Sequence, residues 1–120
     1  MYKEALKQGG LAVVTGAASG VGLAAALHFA KAGLGVVLAD LPGEALEKAT
    51  AQVRMAAGDG ATILAVPTDI SDADAVNALA DKAFDAGEIA VLMNNAGIGL
   101  SSGSWENADN WRKLIEVNLF

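Results

Sequence analysis

The chain has 120 residues, 53% hydrophobic and 18% charged, with 14 glycines, two prolines and no cysteine. It is long enough to bury one core and too apolar for a disordered segment, and it has no thiols for a disulfide or a thiolate metal site, so no metal is expected. Eight basic against 14 acidic side chains leave a net charge of −6, which argues against nucleic acid and anionic membrane surfaces as partners.

Residues 11–15, Leu-Ala-Val-Val-Thr, read as a strand that runs into a glycine-rich turn. Residues 22–32 follow as a helix, with Leu23, Leu27 and Ala30 at helical spacing and Gly33 as its stop. A second apolar run, 34–39, ends at Asp40, and residues 43–57 carry Leu46, Ala49, Val53 and Ala56 on one helical face. A third strand, 62–66, has Asp69 just beyond its end. Ser71 caps the next helix, with Asp74 three residues on in the manner of a capping box. Val76, Leu79, Ala83 and Phe84 are its buried face. A fourth strand, 89–93, runs into Asn94-Asn95-Ala96-Gly97. A polar loop then leads to a last helix, capped by Asn107 and striped by Trp111, Leu114, Ile115 and Leu119.

The strands are near-continuous apolar runs, the pattern of strands covered on both faces, and so of a parallel sheet. Repeated strand–helix units with right-handed crossovers predict an α/β fold, a Rossmann-type doubly wound parallel sheet in the order 3-2-1-4. No repeat or linker divides the chain, so residues 1–120 read as one domain.

The turn Thr15-Gly16-Ala17-Ala18-Ser19-Gly20-Val21-Gly22 joins the first strand to the first helix. Glycines let the main chain approach a ligand closely, and the helix start presents unpaired N–H groups to a pyrophosphate. Asp40 closes the second strand, where an acid accepts hydrogen bonds from the adenosine ribose. Its charge repels a 2′-phosphate, and no basic side chain in the glycine loop or at Leu41 offsets it, which points to NAD over NADP.

The spacing T-G-x-x-x-G-x-G resembles the fingerprint of the short-chain dehydrogenase/reductase family. Asn94-Asn95-Ala96-Gly97 is similar to that family's N-N-A-G motif, and Val117-Asn118-Leu119 to its V-N-L segment. Together with Asp69-Ile70 and Trp111, these elements follow the family's order over residues 11–120. The resemblance implies that Gly16, Ser19, Gly20, Val21 and Gly22 wrap the pyrophosphate and that Asp40 holds the adenosine ribose. It further implies that Asp69 and Ile70 meet the adenine, that Asn95, Ala96 and Gly97 line the nicotinamide-side ribose, and that Val117 lies near that region. Asn118 matches the asparagine of the family's catalytic tetrad, which positions a water in the proton relay.

The family's activity is hydride transfer between NAD(H) and a small alcohol or ketone, and its members are commonly homo-oligomers. Its Tyr-x-x-x-Lys pair has no counterpart here: the one tyrosine, Tyr2, has Leu6 four residues on, and no serine follows Asn118. The chain therefore reads as the cofactor-binding, N-terminal portion of such an enzyme, with the fourth strand as an open edge that favours self-association. A nucleotide-binding module without catalysis is the alternative reading. A methyltransferase shares the glycine loop and the acid but has no use for N-N-A-G. No run reaches the length of about 18 apolar residues that spans a membrane. Residues 1–10 lack the apolar core of a signal peptide, so the expected location is the cytoplasm.

Overall fold

Strands and helices alternate strictly from Leu11 to Asn94. The structure is a computed structural model and describes residues 10–95. In chain order the elements are β1 (Leu11–Thr15), α1 (Gly20–Lys31), β2 (Gly35–Asp40), α2 (Glu44–Ala56), β3 (Ile63–Pro67), α3 (Ala73–Ala86) and β4 (Ile89–Asn94). The last helix expected from Asn107, with Trp111, Leu114, Ile115 and Leu119, lies outside the described residues.

The four strands form one parallel sheet in the order β3-β2-β1-β4, as the apolar runs require. Alternate side chains of the central strands feed two cores. Val13, Val37 and Ala39 join Leu79, Ala80 and Ala83 of α3 on one face. Val14, Val36 and Leu38 join Ala26 and Ala30 of α1 and Leu46, Ala49 and Val53 of α2 on the other. Every residue of β1 is buried, as are the first five of β2, whereas the edge strand β3 is mostly half-buried. Among the described residues, no helix is long and apolar enough to cross a membrane.

Helix α1 stops where Gly33 takes φ 98°, a left-handed angle that a side chain resists. The Gly33 N–H donates to Ala30 O and the Leu34 N–H to Phe29 O, both at 3.1 Å, which closes a Schellman motif. Leu34 is thus the tail of that motif, and β2 begins one residue later than its apolar run suggests. Helix α1 starts at Gly20, two residues before the apolar periodicity becomes visible, because Ser19 takes the N-cap position.

Two features of α3 correct the sequence reading. The N-cap is Asp72, not Ser71: Asp72 Oδ1 accepts the N–H of Asp74 at 2.9 Å and that of Ala75 at 3.4 Å. Phe84 is 43% exposed, and Ala80 completes the buried stripe with Val76, Leu79 and Ala83. Phe84 lies roughly 100° further round the helix than Ala83, which carries it past the edge of the contact with the sheet.

Candidate functional site

In a parallel sheet all strands deliver their following loops to one end, and the crevice there is where ligands of doubly wound folds sit. Gly16, at φ 65°, turns the chain sharply out of β1, and Gly20, at φ 57°, turns it into α1. Ser19 stands at the N-cap without a side-chain hydrogen bond to the helix, and Ser19, Gly20 and Val21 are all exposed. A Cβ built on Gly20 would meet nothing within 4 Å among the described residues, which leave the space over this helix start open. Gly22 is the opposite case: a Cβ there would stand 2.1 Å from Gly16 O and 2.8 Å from Asn95 Nδ2. Helix α1 therefore presses directly on the backbone of the turn and on the end of β4.

Asp40 is the last residue of β2. Its Oδ2 accepts the Ala18 N–H at 2.8 Å and its Oδ1 accepts the Leu41 N–H at 2.7 Å. Its main-chain oxygen accepts the Thr68 N–H at 2.7 Å, tying the exit of β3 to the exit of β2. One residue further, Asp69 Oδ1 accepts both the Ser71 hydroxyl at 2.6 Å and the Ser71 N–H at 2.9 Å. The hydroxyl first, and the backbone N–H second, hold the Asp69 carboxyl below the usual carboxylate range.

At the end of β1 the Thr15 hydroxyl lies 3.0 Å from Asn94 Oδ1, to which it donates, and it accepts the Asn95 N–H at 2.9 Å. The Asn95 side chain donates to Gly16 O at 3.4 Å. These bonds clamp the ends of β1 and β4 together at the floor of the glycine turn. A separate cavity of about 230 Å³ lies at the other end of the sheet, lined by Leu11, Gly35 and Thr62 where strands begin, and among the described residues Asp59 is the one charged group in its wall. It contains none of the expected site residues.

A family model for short chain dehydrogenases matches residues 10–120. The chain belongs to the short chain dehydrogenase family.

Among curated members, the 1-deoxy-11-beta-hydroxypentalenate dehydrogenase of Streptomyces arenae is 48% identical over 111 residues, covering 89% of this chain and 38% of that protein. The chain thus spans less than two fifths of the length of this relative. Among solved structures, a short chain dehydrogenase/reductase of Burkholderia phymatum in complex with NAD is 41% identical, with a TM-score of 0.64 over 71% of this chain and 30% of that one. The L-sorbose reductase of Gluconobacter frateurii, complexed with NADPH and L-sorbose, is 27% identical, with a TM-score of 0.70 over 91% of this chain and 46% of that one.

In this member of the family, Gly16, Ser19, Gly20, Val21, Gly22, Asp40, Asp69, Ile70 and Asn95 all fall at the strand exits on one end of the sheet or in the segments that leave them. Ala96, Gly97, Val117 and Asn118 lie outside the described residues. Thr15 and Thr68 were missed by sequence reasoning. Thr15 carries a signal, a hydroxyl directly before the first glycine, but its partners are 79 and 80 residues away in the chain. Thr68 acts through its backbone N–H, which no side-chain pattern reveals.

Proposed function

We propose that the chain is the nucleotide-binding portion of an NAD-dependent oxidoreductase that interconverts a small alcohol and its carbonyl compound. The observation that carries this reading is the placement of the Asp40 carboxylate against the glycine turn, 2.8 Å from the Ala18 N–H. The residues present fit a dinucleotide. The open, uncapped start of α1 accepts a diphosphate through its backbone N–H groups and the positive end of its dipole. A carboxylate has about four acceptor sites; two on Asp40 are used, so two remain for ribose hydroxyls. Bound NAD supplies the hydride acceptor.

In this reading Gly16, Ser19, Gly20, Val21 and Gly22 enclose the pyrophosphate, Asp40 takes the adenosine ribose, and Asp69 with Ile70 faces the adenine. Asn95, Ala96, Gly97 and Val117 serve the nicotinamide side, and Asn118 belongs to the proton relay. Relatives complexed with NAD and with NADPH both exist, so the preference rests on Asp40. Its charge opposes a 2′-phosphate, and among the described residues no lysine or arginine stands in the glycine turn or beside Asp40 to answer one. A homo-oligomer working in the cytoplasm completes the proposal, in keeping with a chain that has no cysteines.

Calorimetric titration with NAD and NADP tests it. NAD binds, NADP binds more weakly, and Asp40→Ala weakens NAD about tenfold or more, the worth of hydrogen bonds to a charged group. A folded chain that binds neither nucleotide sinks the proposal.

A further inference from the structure

The glycine turn hangs on β2 by two hydrogen bonds of different kinds. The Ala17 N–H donates to Ala39 O at 3.2 Å, a main-chain bond that survives any side chain at position 40. The Ala18 N–H donates to Asp40 Oδ2 at 2.8 Å, a shorter and charge-assisted bond that exists only because position 40 is acidic. The carboxylate is fixed in this orientation, because its other oxygen accepts the Leu41 N–H and so sets the side-chain torsion. The Asp40 main chain also holds the exit of β3 through the Thr68 N–H.

We propose that Asp40 is the positioning residue of the glycine turn, latching Ala18 so that the diphosphate cradle has its binding shape before any nucleotide arrives. This rests on the nucleotide reading above and adds to it. A residue that only met the ribose would matter only to ligands that carry ribose hydroxyls. A latch matters to every ligand of the turn, because an unlatched turn must be ordered at the cost of binding. Removing the Asp40 charge therefore weakens NAD without conferring affinity for NADP.

Two measurements on wild type, Asp40→Ala and Asp40→Asn test the latch. The first is amide hydrogen exchange without nucleotide. Asp40→Ala speeds Ala18 exchange about tenfold or more, while Val13, in the buried centre of β1, stays protected as the control for folding. The second is calorimetry with ADP and with 2′,3′-dideoxy-ADP, which lacks the ribose hydroxyls. Asp40→Ala weakens dideoxy-ADP as well as ADP, and Asp40→Asn, which keeps one acceptor oxygen, restores part of the Ala18 protection and of the dideoxy-ADP affinity. Should Asp40→Ala lose Val13 protection, the Asn variant against wild type carries the comparison. ADP binding to wild type, with Ala18 exchange and dideoxy-ADP affinity both indifferent to position 40, overturns the latch and leaves the nucleotide reading standing. Wild type that binds neither ADP nor dideoxy-ADP overturns the nucleotide reading itself.

Discussion

Ser71 stands next to the residue that caps α3, yet its hydroxyl and its N–H both serve Asp69. The result is an exposed carboxylate held in one orientation and made more acidic by the bonds it accepts. A carboxyl more acidic in the folded than in the unfolded chain contributes its stabilisation in full above the unfolded value, about 3.9. That contribution is lost as pH falls through the lower folded value. Ser71→Ala removes the larger of the two causes, so the Asp69 carboxyl shifts upward toward an ordinary aspartate. Carbon-detected NMR titration of the Asp69 side chain reads this directly, and an unmoved titration would show that the Ser71 hydroxyl does not hold it. Asp69 was legible as a site candidate from its place after the third strand. Its partner was not, because Ser71 is equally suited to capping a helix and only the turn geometry decides between the two uses.

At the scale of elements, the helix ends carry most of the local information. The Gly33 stop of α1 was readable, since a glycine after a helical period supplies the left-handed residue that a Schellman motif needs. The start of α3 was misplaced by one residue, since Ser71 and Asp72 are both good N-caps and the capping-box spacing from Ser71 to Asp74 favoured the wrong one. Asp72 accepts two N–H groups of the first turn, so Asp72→Ala lowers stability by about 1 kcal/mol. Urea denaturation measures the loss, and Ser71→Ala in the same experiment leaves the cap bonds of α3 intact. Asp72→Ala with unchanged stability would show that these two bonds do not hold the helix start.

At the scale of the molecule, a close backbone approach at Gly22 joins three segments at the site. Gly22 brings the start of α1 against Gly16 O at the end of β1 and against Asn95 beyond β4. The obstacle at 2.1 Å is backbone, which has no side-chain freedom with which to yield. Gly22→Ala therefore levers α1 away from the sheet. The expected cost is about 1–3 kcal/mol of stability, the usual penalty of overpacking, together with loss of nucleotide affinity. Thermal unfolding and NAD calorimetry on the same variant check both parts, and a variant with unchanged melting and binding would show that the helix has slack at this point. Gly20→Ala separates crowding from backbone angle, because Gly20 has open space around it and only its φ of 57° to lose.

The sequence by itself determined the alternation of strands and helices, the parallel sheet and its order, and the positions of the glycine turn and Asp40. Those features depend on local properties: apolar runs, a helical period and glycines at strand ends, each readable within a short window. Tertiary structure alone decided what these residues do to one another. Thr15 meets Asn95 across 80 residues of chain, the Asp40 carboxylate reaches back to Ala18 across 22, and Phe84 is exposed although its neighbour Ala83 is buried. Such contacts arise from the docking of β1 between β2 and β4. A hydrogen bond between distant residues leaves no periodic trace in the sequence, because any residue type able to donate or accept could have filled either side.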